Sequence, residues 1–209
     1  MRAEPSCPRC GAALRAPGLW SSAWLCEGHG AVHPMQPVVQ PTAELLHAVT
    51  ARSAVPLWLP WPLPRGWLVT GVATAGDERT GARASAVACS GPAPLGGVAD
   101  LLLVAEEPGV GMGARYAGVE GPDPAPALDD RAPDAKIHAA GHPTAMWAVE
   151  APSDRAVYVG EAHACWVWAV LWPESDGFLL IGDFVLTDLR DVGRDLDVPF
   201  GALSPRLTA

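Results

Sequence analysis

Short apolar runs bounded by Gly, Pro and Asp dominate the chain from residue 66 onward. Runs of β-branched and aromatic residues at this spacing predict strands joined by turns. The predicted strands cover 67–73, 83–90, 101–106, 144–149, 156–161, 164–172 and 178–186. Only the stretch 98–106 also fits the spacing of a helix. The pattern therefore predicts a mostly antiparallel β-sheet.

The segment 164–172 is apolar on both of the faces that a strand would present. One face would carry Trp166, Trp168, Val170 and Trp172, and the other Cys165, Val167, Ala169 and Leu171. A strand with two apolar faces is covered on both sides. We therefore expect a central strand here, followed by a turn at PESDG and a last long strand.

One helix is predicted before the strands, at 42–53. Thr42 is a suitable N-cap, and an apolar stripe begins at Leu45 and includes Val49. The next segment, 55–67, places three tryptophans among four prolines, which exclude a helix. It predicts an extended chain whose aromatic rings cover a core, with a proline-recognition ligand as the alternative.

These elements predict an α+β protein. A small N-terminal zinc ribbon at 1–33 is followed by a linking segment at 34–65 with the short helix. An antiparallel β-rich domain then occupies 66–209, with an acidic, Pro-rich loop at 122–135. The length of 209 residues and the apolar content allow a substantial core without disulfides.

The formal net charge of −9 argues against a nucleic-acid partner, because phosphate binding requires clustered Lys and Arg. No apolar run has the length of a membrane helix, and the N-terminus lacks the apolar core of a signal peptide. We therefore expect a cytoplasmic protein without a membrane partner. In that compartment cysteines stay reduced, so the five cysteines are expected to be metal ligands or buried side chains.

Two similar pairs of metal-binding residues lie near the N-terminus. Cys7 and Cys10 have C-x2-C spacing, Cys26 and His29 have C-x2-H spacing, and fifteen residues separate the pairs. This is the ligand spacing of tetrahedral zinc. Short strands at 12–15 and 20–25, around a turn at 16–18, would complete the hairpin of a zinc ribbon.

The fourth ligand has an alternative, because His33 lies four residues beyond His29. His29 repeats the spacing of the first pair and is the preferred assignment. A site closed by four protein ligands leaves no position for water, so we expect Zn²⁺ to be structural. The metal by itself implies no reaction.

The segment GVGMGA at 109–114 formally matches a dinucleotide-binding fingerprint. That fingerprint must open a helix, and Gly118, Gly121 and Pro122 argue against one here. We therefore expect a turn or a bulged strand and no bound cofactor. Arg115 remains a candidate for contact with an anion.

The remaining reactive side chains give no complete catalytic site, and catalytic residues stay unknown. His138 and His142 lie four apart but outside a helix. His163 and Cys165 would share one face of a strand, either as an activated Cys–His pair or, as we prefer, as a solvent-facing histidine beside a buried thiol. Cys89 is expected in the core. The neighbouring carboxylates Glu106–Glu107 and Asp129–Asp130 are expected on the surface.

The motifs CPRCG, CEGHG, PWPLPRGW, ACSGP and GARYAG resemble an uncharacterised actinobacterial family, a domain of unknown function, over nearly the whole chain. The resemblance implies no established activity. A phosphate acetyltransferase label attaches to some members, but nothing in this chain supplies the architecture of such enzymes.

We therefore favour a zinc-stabilised interaction or regulatory protein with a protein partner. Trp20 and Trp24 are the expected contact residues, unless they pack against the β domain. The alternative is a small-molecule enzyme, for acyl or phosphoryl transfer, with its site in the β domain.

Overall fold

The computed structural model describes residues 4–19, 21–124, 128, 131–180, 184–192 and 197–208. Its strands are β1 (Trp24–Cys26), β2 (Gly30–Val32), β3 (Trp58–Pro60), β4 (Leu68–Asp77), β5 (Gly81–Pro92), β6 (Val98–Glu106), β7 (Ala135–Ala139), β8 (His142–Ala148), β9 (Ala156–Ala162), β10 (Cys165–Trp172) and β11 (Val185–Asp188). Its α-helices are α1 (Ala43–Thr50), α2 (Met112–Ala117) and α3 (Leu189–Val192), and 3-10 turns cover Glu174–Leu180 and Pro205–Leu207.

Nine of these strands form one sheet, in the order β3-β11-β7-β8-β9-β10-β6-β5-β4. Neighbours are antiparallel except for β11 and β7, which are parallel. The sheet curls, so that β3 at one edge packs against β5 and β6. The predicted mostly β architecture with few short helices is confirmed.

The two faces of the sheet bury separate cores. The first, inside the curl, contains Trp58, Leu101 and Leu171, and the second contains Leu102, Trp168 and helix α2. Strand β10 contributes to both cores and lies between β9 and β6, which confirms the central position expected from its two apolar faces. On β4 and β5 the outer face is rich in alanine, and these small side chains allow other segments to pack closely.

Helix α1 begins where the sequence predicts. The Thr42 side chain accepts a hydrogen bond from the Leu45 N–H, as an N-cap does. Leu46 is buried and holds the helix on the first core. The stretch 98–106 is strand β6 rather than a helix. None of the described helices has the length and apolarity needed to cross a membrane.

The last long strand was predicted wrongly. The described part of 178–186 begins in a 3-10 turn, and the strand β11 covers only Val185–Asp188. Asp176, on this turn, is almost fully buried, although PESDG alone indicates a simple surface turn. Strand β7 was not predicted, because it follows directly on the acidic loop. In that loop, positions 125–127, 129 and 130 lie outside the described residues, and with them the pair Asp129–Asp130.

Parts of the expected linking segment lie on the sheet. Met35 forms a bridge with Ala75, and Val39 forms one with Val72, so residues 33–40 run along the edge strand β4. Strand β3, with the buried Trp58, forms the opposite edge, whereas Trp61 is 37% exposed. The Pro- and Trp-rich segment therefore covers the core with part of its aromatic rings only.

The N-terminal hairpin differs in detail from the expected one. Arg15 and Leu25 exchange backbone hydrogen bonds, as a hairpin around 16–18 requires. The regular strand pair, however, is β1 with β2, across the second ligand pair. Trp20 lies outside the described residues.

Candidate metal centre

The first ligand pair lies in a tight turn. The Gly11 N–H donates to the Cys7 carbonyl, and the Cys7 N–H donates to the Ala12 carbonyl, both at 2.8 Å. Gly11 has a φ of 74°, in the left-handed region that glycine adopts without strain. The turn therefore folds Cys10 back towards Cys7.

The second ligand pair spans the turn of a short hairpin. Cys26 ends β1 and is paired with Gly30, which begins β2. The residues between them form the turn, and His29 is the last of these. This turn places the His29 Nδ1 atom 3.5 Å from the Cys26 Sγ atom.

The four candidate ligand atoms lie within 4.8 Å of one another. Cys10 Sγ and Cys26 Sγ are 3.8 Å apart, and Cys7 Sγ is 3.6 Å from His29 Nδ1. A tetrahedron with Zn–S bonds of about 2.3 Å and Zn–N bonds of about 2.0 Å has edges of about 3.8 Å between sulfurs and about 3.6 Å between sulfur and nitrogen. The donor set and its spacing thus fit a tetrahedral metal ion.

The protonation of the thiols also bears on metal binding. Burial raises the pKa of the Cys7 thiol to about 11. Burial has the same effect on Cys26, but hydrogen bonds from His29 and from the Gly28 backbone outweigh it and lower its pKa to about 6. A bound cation stabilises both thiolates, because the thiolate is the form that ligates metals.

His33, the alternative fourth ligand, is not part of this cluster. It lies where the hairpin leaves β2 and lines a cleft with Asp77 and Glu107. Burial, followed by the charge of Arg83, lowers the pKa of the His33 imidazole. The cluster that the structure assembles therefore contains His29.

Arg9, between the two cysteines of the first pair, anchors the hairpin to the segment between β6 and α2. Its Nε donates to the Val110 carbonyl at 3.3 Å, and a second guanidinium nitrogen donates to the Gly109 carbonyl. Gly11 packs closely against the guanidinium of Arg115, where a Cβ atom would lie 2.8 Å from Nη2. The first ligand pair therefore rests directly on the glycine-rich segment 109–114.

The N–H groups of this glycine-rich segment are bound by carboxylates of the chain itself. Glu106 accepts hydrogen bonds from Met112 at 2.6 Å and from Gly113 at 3.1 Å. Asp123 accepts one from Gly109 at 2.6 Å. These are the backbone donors that a dinucleotide fingerprint would offer to a phosphate.

Two sequence expectations about this region are wrong. A short helix, α2, does begin within the glycine-rich segment. It ends at Ala117, and Gly118, which argued against a helix, is its left-handed C-cap. Glu106 is not a surface residue but is fully buried, where it holds the start of α2. Burial is the main reason that its pKa is raised to about 7, and Asp123 adds to the effect, whereas the two N–H donors oppose it.

We expect Glu106 to make stability fall with rising pH. Its pKa is higher in the folded than in the unfolded protein, so its contribution is fully present below about pH 4.5 and is lost as the pH rises through about 7. Between pH 5 and 8, the wild type should therefore lose up to about 3 kcal/mol of unfolding free energy relative to Glu106→Gln. Urea unfolding at several pH values, with zinc present, measures this difference.

Glu107→Gln is the matched control for this experiment, because Glu107 is the next residue and its side chain is 37% exposed. The difference in unfolding free energy between Glu107→Gln and the wild type should change by less than about 1 kcal/mol over the same pH range. The prediction would be contradicted if the unfolding free energies of the wild type and of Glu106→Gln differed by the same amount at all pH values.

One family model covers nearly the whole chain. The model of a family of unknown function (DUF6758) matches residues 1–207. The chain belongs to DUF6758. No curated protein and no solved structure matches it. The family match thus covers both the ligand cluster and the sheet.

The other reactive residues singled out in this DUF6758 chain do not converge. His138 and His142 lie on the two strands of the β7–β8 hairpin, close to its turn. His163 lies in the β9–β10 turn with a φ of 56°, and not on a strand face beside Cys165 as expected. Its ring meets that of Trp58 edge-on at 5.6 Å. The prediction that the histidine is exposed and the thiol buried is confirmed, whereas their expected placement on one strand face was wrong.

The remaining cysteines are buried in the DUF6758 fold. Cys89 is fully inaccessible, and burial raises its pKa to about 12, which confirms the core position expected for it. Burial also raises the pKa of Cys165. Arg115 contacts the sulfur of Met35 at 3.1 Å. It therefore lies beside Met35 and Gly11.

A large groove separates the hairpin from helix α1 and the β4–β5 turn. We call it the ribbon groove; its volume is about 950 Å³, and its apolar walls include Pro17, Trp24, Leu45 and Val49. Arg79 ties the turn to the hairpin, donating to the Ser22 carbonyl at 3.2 Å. Trp24, expected from the sequence as a contact residue, is half-buried in this wall. The groove therefore has one wall that belongs to the hairpin with the candidate ligands.

A smaller cleft of about 270 Å³ lies on the other side of this wall in the DUF6758 structure, and Trp24 lines it too. His33, Glu107 and Arg9 also line it, so it combines an imidazole with a carboxylate and a guanidinium. Sequence reasoning missed Arg9, Glu106 and this cleft. Two signals in the sequence could have indicated these residues. Arg9 lies between two candidate ligands, and Glu106 lies between an apolar strand and a glycine-rich turn.

Proposed function

We propose that this chain is a zinc-stabilised binding protein, in which Zn²⁺ on Cys7, Cys10, Cys26 and His29 fixes the hairpin against the sheet. The observation that carries this proposal is the match between three of the ligand-atom distances and the edges of a zinc tetrahedron. Three sulfurs and one imidazole are soft and borderline donors of the kind that zinc prefers. In this view residues 1–33 act as the ribbon, and the β-rich part is its support.

The zinc has a structural role in this proposal. Four protein ligands complete its coordination and leave no position at which a substrate or a water molecule could be activated. When bound, the ion supplies a cross-link between the two ligand pairs. Arg9 then holds the hairpin against the segment after β6, through its hydrogen bonds to the carbonyls of Gly109 and Val110.

The ribbon groove is the proposed binding surface for a protein partner. Its walls are mainly apolar and meet solvent, and such exposed apolar surface is typical of interaction sites. At the tip of the same hairpin, Leu19 is 99% exposed. The net charge of −9 disfavours phosphate-bearing partners. The enzyme alternative has less support, because the sequence identified no complete catalytic site.

Purified protein from zinc-replete medium should contain about one zinc ion per chain, measured by elemental analysis. Trp24→Ala should keep this zinc but lose partners that co-purify with the wild type, since Trp24 forms the groove wall. Trp61→Ala, which removes an exposed tryptophan outside the groove, is the control and should keep them. Zinc-free protein would refute the metal site, and unchanged partners in Trp24→Ala would refute the binding surface.

A further inference from the structure

The three cysteines of the metal centre differ in their access to solvent. Cys7 and Cys26 are 0% and 4% exposed, whereas Cys10 is exposed. The Cys10 sulfur lies 3.8 Å from the Cys26 sulfur, which places the two in contact. Cys10 is therefore the most accessible of the three cysteines to an oxidant in solvent, and a second sulfur is in contact with it.

We propose that Cys10 is a modification site, at which a hydroperoxide oxidises the centre, a Cys10–Cys26 disulfide forms and the metal is released. This inference rests on the zinc occupancy proposed above. The susceptibility of a cysteine to peroxide follows its thiolate character and its exposure. Among the three cysteines of the cluster, only Cys10 is exposed, and its sulfur lies in contact with that of Cys26.

The reaction balances in two displacement steps. The Cys10 thiolate attacks one peroxide oxygen, the O–O bond breaks, and a sulfenic acid and a hydroxide or alkoxide ion form. The Cys26 thiolate then attacks the Cys10 sulfur, the S–S bond forms, and hydroxide leaves as the S–O bond breaks. The two thiolates lose two electrons in total, which reduce the peroxide, and solvent protonates the released anions.

Cys26 lies close enough to Cys10 to act as the second sulfur. A disulfide has an S–S bond of about 2.05 Å, so the two sulfurs must approach by less than about 2 Å once the metal leaves. The remaining ligands, Cys7 and His29, are two donors only. A pair of ligands holds zinc far more weakly than a closed set of four.

Oxidation at Cys10 is also expected to weaken the contact between the hairpin and the segment after β6, because Arg9 is the residue next to Cys10. The guanidinium of Arg9 holds the Gly109 and Val110 carbonyls, and the first ligand pair fixes the backbone from which it extends. Loss of the metal frees this backbone. We therefore expect the hairpin wall of the ribbon groove to detach in the oxidised protein.

The other two cysteines provide an internal comparison. Cys89 and Cys165 are 0% and 6% exposed, and burial raises the pKa of both thiols. A protonated, buried thiol reacts slowly with peroxide. Oxidation should therefore start in the metal centre and spare the core.

The test treats the zinc-loaded full chain with hydrogen peroxide and follows zinc release with a chromogenic chelator. Peptide mapping of the same samples locates the disulfide. We expect zinc release in step with a Cys10–Cys26 disulfide, and rebinding after reduction with added zinc. Cys10→His retains a ligand in the C-x2-H spacing that Cys26 and His29 already use, and should slow release by at least about ten-fold, since an imidazole is not oxidised in this way.

Cys165→Ala is the control variant and should release zinc at the wild-type rate. Zinc that stays bound under peroxide, a first disulfide or sulfenic acid elsewhere, or equally fast release from Cys10→His would each overturn the inference. If Cys10→His does not load zinc, the peptide map of the wild type decides alone. Protein without zinc before any peroxide is added would instead refute the proposed function.

Discussion

Replacing Cys7 and Cys26 together by serine is expected to abolish metal binding and to unfold the hairpin, while the nine-stranded sheet stays folded. Zinc contributes about 10 kcal/mol or more to the folding of small ribbon-like units, which is more than so short a segment gains from packing. The sheet has two cores of its own, neither of which contains a proposed ligand. Elemental analysis should give near-zero zinc. Hydrogen exchange should rise at Arg15 and Leu25 but not in β6 or β10.

His33→Ala is the matched control for the ligand assignment, because His33 lies close in sequence but outside the cluster. It should retain zinc, whereas His29→Ala should lose it. Zinc retained by the double serine variant, or lost from His33→Ala, would contradict the assignment. A deletion that tests whether the sheet folds alone should end before residue 33, because residues 33–40 pair with β4.

Gly113→Ala is expected to lower the unfolding free energy of the whole protein by about 3 kcal/mol, the upper range for overpacking a core. A Cβ atom at this position would lie 2.2 Å from Cδ1 of Trp168. Trp168 is fully buried in the second core, so its ring cannot move aside without displacing neighbours. The added methyl group would also shift the N–H that Glu106 accepts. Urea unfolding, followed by tryptophan fluorescence, measures the loss.

Gly18→Ala provides the comparison, because no atom lies within 4 Å of a Cβ built there and its φ is not in the left-handed region. Its unfolding free energy should differ from that of the wild type by less than about 0.5 kcal/mol. If both variants unfold at the same urea concentration, the close packing of Gly113 against Trp168 is refuted.

Local features of the structure were the ones that the sequence predicted well. The N-cap at Thr42 and the two apolar faces of β10 are properties of neighbouring residues, and both were predicted. The ligand pairs are also local, since turns of a few residues bring each pair together. Their spacing led to the same four residues that the structure assembles, although it left the choice between His29 and His33 open.

Long-range contacts account for the failures. Glu106 looks like half of a surface pair, and only the return of α2 over β6 buries it. The apolar stretch 178–186 has strand-like composition, yet its first residues belong to a 3-10 turn that packs against β9 and β10. The contact of Arg9 with residues 109 and 110 joins segments about a hundred positions apart. No pattern within a short window contains this information.

The order of strands in the sheet has a consequence for how the chain folds. Edge strand β3 pairs with β11, where Leu59 faces Thr187, and Val69 on the other edge strand bridges to Phe200. Both edge strands thus pair with residues about 130 positions later in the chain, and contacts between such distant positions form slowly. The metal ligands, in contrast, are all present once residue 29 has been made. Metal uptake should therefore come early during translation. The hairpin would then be formed before the sheet against which it packs.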